Sequence, residues 1–110
     1  ASDVTIHQNG GVIRKFFYLL ANGGTVDPGT SYSVTVPSIG IDKAKQILYV
    51  TFNWWTWSNL KYPEFANQSM LATAYHFGNC SQEEKSVVLA WKACGINLSL
   101  NCLALLYSWR

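Results

Sequence analysis

Ser81-Gln82-Glu83-Glu84-Lys85-Ser86-Val87-Val88-Leu89-Ala90-Trp91-Lys92-Ala93, followed by Cys94-Gly95, is the best-specified stretch of the chain. It opens with the pattern Ser-x-x-Glu. In that capping box a Ser hydroxyl and a Glu carboxylate satisfy backbone N–H groups that have no partner inside the helix. Val87/Val88, Trp91 and Cys94 recur at helical spacing, and Gly95 supplies the residue that ends such a segment. A helix over Gln82–Ala93 follows.

Outward from it, three further segments read as helices. Gly11–Ala21 carries Val12, Ile13, Phe16, Phe17, Leu19 and Leu20, and only Arg14 and Lys15 break the apolar run. A helix apolar on nearly all sides is expected to be central and buried. Asn22-Gly23-Gly24 stops it. In Ile41–Trp57, Ile41, Ala44, Ile47/Leu48, Phe52 and Trp55 fall three to four residues apart. Pro63–Phe77 begins with a proline that suits a first helical position, where its missing N–H costs nothing. Between the first two helices, Thr25–Gly40 is a long Gly/Pro/Ser-rich loop. Within it Val26-Asp27-Pro28-Gly29 signals a turn, and Tyr32, Val34 and Val36 alternate with polar residues as a short extended piece. Ile96–Arg110 reads as a last helix or a docked tail. The expected fold is all-α: a bundle of four to five helices with no convincing sheet.

Composition narrows the function classes. Of 110 residues, 49% are hydrophobic, 15% aromatic and only 13% charged. That excludes a charge-rich disordered tail, and the length fits one domain or part of one. The net charge is +2, and no basic run is longer than Arg14-Lys15. Neither a phosphate-binding footprint nor aromatics interleaved with Lys and Arg is present, so nucleic acid is not an expected partner. The longest apolar stretch, near Cys102–Tyr107, falls far short of the roughly 20 residues that span a bilayer. Ala1-Ser2-Asp3 has neither the basic nor the apolar region of a secretory signal.

Three cysteines, Cys80, Cys94 and Cys102, form no Cys-x-x-Cys metal pair and allow one disulfide plus a free thiol. Cys80 and Cys94 flank a helix and stand about 20 Å apart at 1.5 Å per residue. Bridging needs Cα atoms within about 7 Å, so these two are not expected to pair, and Cys102 could fold back to either. Three glycosylation-type triplets, beginning at Asn67, Asn79 and Asn97, lean toward a secreted, extracellular origin.

Catalytic motifs are sparse. The two histidines, His7 and His76, do not form His-Glu-x-x-His, the arrangement that puts two imidazoles on one helix face within reach of a zinc ion. There is no Gly-x-Ser-x-Gly elbow, phosphate loop or dinucleotide fingerprint. Taken singly, His7 is a polar residue flanking a helix, and His76 is a structural residue near a helix C-terminus, where a cation is mildly favoured.

The string His7-Gln8-Asn9-Gly10-Gly11-Val12-Ile13-Arg14-Lys15-Phe16-Phe17-Tyr18-Leu19-Leu20, with Gly23-Gly24 beyond it, resembles a segment of the thermolysin-like (M4) zinc metallopeptidases. Val36-Pro37-Ser38-Ile39-Gly40-Ile41-Asp42-Lys43-Ala44 resembles that family's Gly-Ile-Gly-Arg-Asp-Lys stretch. Ser81 through Ala93, with Gly95-Ile96, is similar to its last helix. The blocks fall in order over about Val4 to Ile96, and residues 1–96 would be the C-terminal helical lobe. Residues 97–110 would be an extension of unknown role.

The resemblance implies the C-terminal part of a secreted zinc endopeptidase that cuts next to apolar residues. Zinc, and in some members calcium, would belong to the parent enzyme and would not be bound by this chain. The partners implied are the zinc-bearing N-terminal lobe and a peptide or protein substrate. His7 matches the family's transition-state residue, which donates a hydrogen bond to the oxyanion of the tetrahedral intermediate. Asp3 is the nearby carboxylate that would orient it, although the family places that carboxylate one position earlier, where Ser2 stands. Ile41 replaces an expected Arg, and Ser38 replaces a Gly. The alternative is a non-catalytic helical binding or regulatory module derived from the same lobe. Under the enzyme reading, part of the aromatic surplus would face the missing lobe near His7.

Overall fold

A computed structural model describes residues 11–54 and 61–99. The elements in chain order are α1 (Gly11–Asn22), β1 (Gly24–Val26), β2 (Val34–Val36), α2 (Ile41–Trp54), α3 (Tyr62–Phe77) and α4 (Gln82–Ala93). The fold is the all-α bundle expected. Residues 55–57, read as the last turn of the second helix, and the final segment read as helix or tail lie outside the described residues, apart from its first four, 96–99, which are coil.

Helix α1 packs against both α2 and α4, and α3 packs against both α2 and α4. Aromatic rings fill the middle. Phe16 of α1 stacks on Trp91 of α4 with centroids 4.1 Å apart at 15°, and Phe65 of α3 meets the same indole edge-on at 6.1 Å. Phe52 of α2 reaches Phe65 at 4.9 Å. Phe16, Phe65, Trp91, Leu20 and Val87 are fully buried. Trp91 keeps its polar handle satisfied, since its Nε1–H donates to Ser69 Oγ at 2.8 Å. Ser69 in turn donates to the Ala66 carbonyl at 2.7 Å. Thr51 and Thr73 donate back to carbonyls one turn earlier, at 2.6 and 2.7 Å, so these buried hydroxyls are all paired within the helices.

Two expectations change. First, α1 is not buried all round: Phe16, Leu19, Leu20 and Ala21 are buried, whereas Arg14, Lys15 and Tyr18 are exposed. Second, the long loop contains a small antiparallel hairpin, with Thr25 opposite Thr35 and Val26 opposite Val34. The alternation of Val34 and Val36 with polar residues marks β2, buried–exposed–buried, as the extended piece expected, and what changes is its pairing with Gly24–Val26. An isolated hairpin is marginal in water, and this one is held because Val34 and Val36 enter the core. The chain leaving β2 also caps α1. Ile39 N–H donates to the Leu20 carbonyl at 3.0 Å and Ser38 Oγ donates to the Ala21 carbonyl at 2.6 Å. These carbonyls have no intrahelical partner at a helix end. Ser38, a departure from the family pattern, thus stitches the loop to α1.

The helix ends are read closely by the local chemistry. Pro63 stands one position further into α3 than expected, with Lys61 as the N-cap. At α4, Ser81 Oγ accepts from Glu84 N–H at 3.1 Å as anticipated, but the Glu84 carboxylate takes the Cys80 N–H, because Ser81 N–H is used by the Gly78 carbonyl. At the other end, Gly95 N–H reaches the Lys92 carbonyl and Ile96 N–H reaches the Trp91 carbonyl. With Gly95 at φ 90, this is the paired reversal that ends many helices.

Candidate functional site

The sequence placed its candidate at the entrance to α1. His7 and Asp3 lie outside the described residues, as does the relation of any surface patch to His7. The described part of the site is the platform that follows them. Gly11 is the first residue of α1, and the Val12 carbonyl one residue on receives a long contact, 3.9 Å, from Cys94 Sγ at the end of α4. One turn further, Phe16 is locked against Trp91. The start of α1 is therefore fixed to the body of the bundle at its second and sixth residues.

The electrostatics of this platform are basic. Arg14 and Lys15 are exposed on α1. Burial pushes the Tyr62 hydroxyl up from its ordinary value, and the Arg14 charge opposes that rise. Burial likewise raises the Cys94 thiol, opposed by the charge of Lys15. The Tyr62 hydroxyl is buried without a hydrogen-bond partner. Cys94 carries a free thiol, and its half-buried, up-shifted sulfur is poorly suited to act as a nucleophile.

Beside the platform, α1 and α2 leave an open apolar groove of about 370 Å³, lined by Ile13, Phe17, Tyr18, Ala21, Ile41 and Leu48 among others. Tyr18 and Ile41 are 63% and 53% exposed. Ile41, which opens the apolar spacing of α2 and stands where the family carries an Arg, is exposed in the fold and extends this apolar surface. A second, more polar hollow of about 450 Å³ lies between the hairpin and the end of α4, with Asp27 and Lys92 among its lining residues. His76 is in the last turn of α3, its ring edge-on to Tyr75 at 5.1 Å.

Among the described residues no group of three His, Cys, Asp or Glu side chains could hold a metal ion, and no helix is long and apolar enough to cross a membrane. The described residues therefore do not fit a zinc or calcium site.

The described residues define a four-helix domain whose α1–α2 face carries an open apolar groove. The family model for the thermolysin metallopeptidase α-helical domain matches residues 1–96. The bacillolysin of Bacillus cereus is 35% identical over 92 residues, covering 84% of this chain and 15% of that protein. The thermolysin of Alicyclobacillus acidocaldarius subsp. acidocaldarius and the bacillolysin of Bacillus caldolyticus are each 33% identical over 91 residues, covering 83% of this chain and 16% of theirs. The chain belongs to the M4 thermolysin metallopeptidase family, as its C-terminal α-helical domain. It spans about one-sixth of the length of these relatives.

Proposed function

We propose that this chain is the C-terminal part of a secreted zinc metalloendopeptidase, and that it supplies the residue that stabilises the oxyanion while the metal site lies in the remainder of the enzyme. The observation that carries this reading is the family match over residues 1–96, a range within which the His7-Gln8-Asn9-Gly10-Gly11 string falls. As water adds to the scissile carbonyl, negative charge develops on its oxygen. A fixed N–H donor is most valuable at that moment, because it needs no reorganisation. His7 is the donor in this reading, and α1, anchored through Phe16 to Trp91, is the rigid element behind it. Asp3 is its candidate positioning residue. In this reading the apolar α1–α2 groove of the described residues buries against the zinc-bearing lobe, since most of the relatives' length lies outside the matched segment.

The test is His7→Ala in the longer enzyme that carries this chain, assayed on a peptide with apolar residues flanking the scissile bond. The expected result is a fall in kcat on the order of 10²–10³ with little change in KM and an unaltered melting temperature. An unchanged kcat removes His7 from catalysis. A long form that encodes no His-Glu-x-x-His would instead favour the non-catalytic module, whose supporting observation is Ser2 at the position where the family carries its carboxylate.

A further inference from the structure

Among the described residues, the large apolar side chains that stand exposed are Tyr18, Tyr32, Ile41, Tyr49, Leu71 and Tyr75. All but Tyr32 lie in helices, and Tyr32 lies in the loop between β1 and β2. We propose that this loop is a cut point built into the domain. An endopeptidase with an apolar side-chain subsite takes Tyr32 there and hydrolyses a peptide bond of that residue, after which α1 and the body formed by α2, α3 and α4 are joined by packing alone.

Access and consequence both support the assignment. A protease cleft takes its substrate as extended chain, so a helical tyrosine is cut only after its helix unwinds, whereas exposed loop tips are the preferred places for nicking. Residues 27–33 are all exposed, and Tyr32 is 80% exposed. The hydrogen bonds that shape the loop are made inside it. Thr30 N–H reaches the Asp27 carbonyl at 3.4 Å and Ser33 N–H reaches the Thr30 carbonyl at 3.3 Å, both long for such bonds. Thr30 Oγ1 donates to the Asp27 carbonyl at 2.8 Å and accepts from Tyr32 N–H at 3.2 Å. The hollow of about 450 Å³ lies between this loop and the end of α4, with Tyr32 and Lys92 both on its walls. Opening the loop therefore breaks local contacts and leaves the core in place, the kind of local opening that costs least. Hydrolysis adds water across the amide and leaves a carboxylate on one piece and an amine on the other. Cys80, Cys94 and Cys102 all lie beyond Tyr32, so no disulfide within the chain spans the cut. The pieces stay together in the native domain through Phe16 on Trp91, β1 paired with β2, and Ser38 bonded to the Ala21 carbonyl. Once the nicked domain unfolds they separate, and refolding becomes an association that depends on concentration.

Limited digestion of the full chain decides it. The native protein is treated with a trace of chymotrypsin, whose primary subsite is a hydrophobic slot, and the products are identified by mass. The expected cut is between Tyr32 and Ser33. The two pieces should elute together from a native sizing column and run apart on a non-reducing denaturing gel. Cleavage after the helical Tyr18, Tyr49 or Tyr75 should be slower by about tenfold or more, because proteolysis follows the population of the open form. Tyr32→Ser should slow the loop cut by about tenfold or more, and the melting temperature should hardly move because the side chain is exposed. After heating, recovery of the helical signal should fall on dilution for the nicked chain and stay constant for the intact one. A helical tyrosine cut as fast as Tyr32, an unchanged rate in Tyr32→Ser, or pieces that stay joined on the non-reducing gel overturns the proposal.

Discussion

Ser69 shows how much one hydroxyl can hold. Its oxygen accepts the only N–H of the buried Trp91 side chain while donating to the Ala66 carbonyl. Ser69→Ala would leave that indole N–H desolvated and unpaired, a loss of about 1–3 kcal/mol. Urea unfolding should show it as a lower midpoint with an unchanged slope. A surface pair behaves differently. The Lys43 ammonium binds the Glu83 carboxylate, linking α2 to α4, and that hydrogen bond is the main reason the Glu83 carboxyl lies below its ordinary range. A lowered folded-state value means that the pair's contribution is present above the ordinary carboxylate pKa and is lost as pH falls through the folded value. Lys43 is half exposed, so the contribution is only about 0.2–1 kcal/mol. Glu83→Gln should therefore lower stability slightly at neutral pH, with the difference from wild type vanishing in acid. A difference that persists under strongly acidic conditions would refute the assignment.

At the scale of elements, the decisive junction is the exit from α1. Gly23 adopts φ 74, and a Cβ there would approach the Ser38 N and Val36 O backbone atoms to 2.9 Å. Both the positive φ and the close approach demand glycine. Gly23→Ala should cost more than about 1 kcal/mol and loosen the hairpin, read as faster amide exchange at Ile39, whose N–H bonds to the Leu20 carbonyl. The helices themselves were largely legible. Ser81 and Gly95 bracket α4 because caps are local chemistry, written within four residues of one another. The hairpin was not legible as a sheet: the alternation at Val34 and Val36 marks an extended piece, but Gly24–Val26 carries no such pattern, and only the packed core brings the two together. Glu84 was paired with the wrong N–H for a similar reason. The turn at Gly78 had already taken the Ser81 donor.

At the scale of the whole molecule, the apolar surplus among the described residues divides into two parts. Phe16, Tyr62, Phe65 and Trp91 are core. Tyr18, Ile41 and the α1–α2 groove are surface. If that groove meets the zinc-bearing lobe, Ile41→Asp should weaken association of the two parts tenfold or more, equivalent to at least about 1.4 kcal/mol. Because Ile41 is half exposed, the melting temperature should hardly move. Titration of the chain against the lobe by calorimetry would measure this, and undiminished affinity would assign the groove elsewhere.

The sequence by itself determined the four helices, the Ser81 and Gly95 ends of α4 and the family, because each rests on residues near one another in the chain or on blocks in a fixed order. The candidate His7 was likewise legible only as a member of such a block, and Asp3 only by its nearness to it. What the tertiary structure decided was everything that depends on distant residues meeting. It stacks Phe16 on Trp91, turns one face of α1 outward and seats Val34 and Val36 of the loop in the core. It leaves Cys94 free while Cys80 is bonded. The physical reason is that burial and pairing are properties of the packed whole. A helical pattern names an apolar face, but only packing says which part of that face the chain covers for itself.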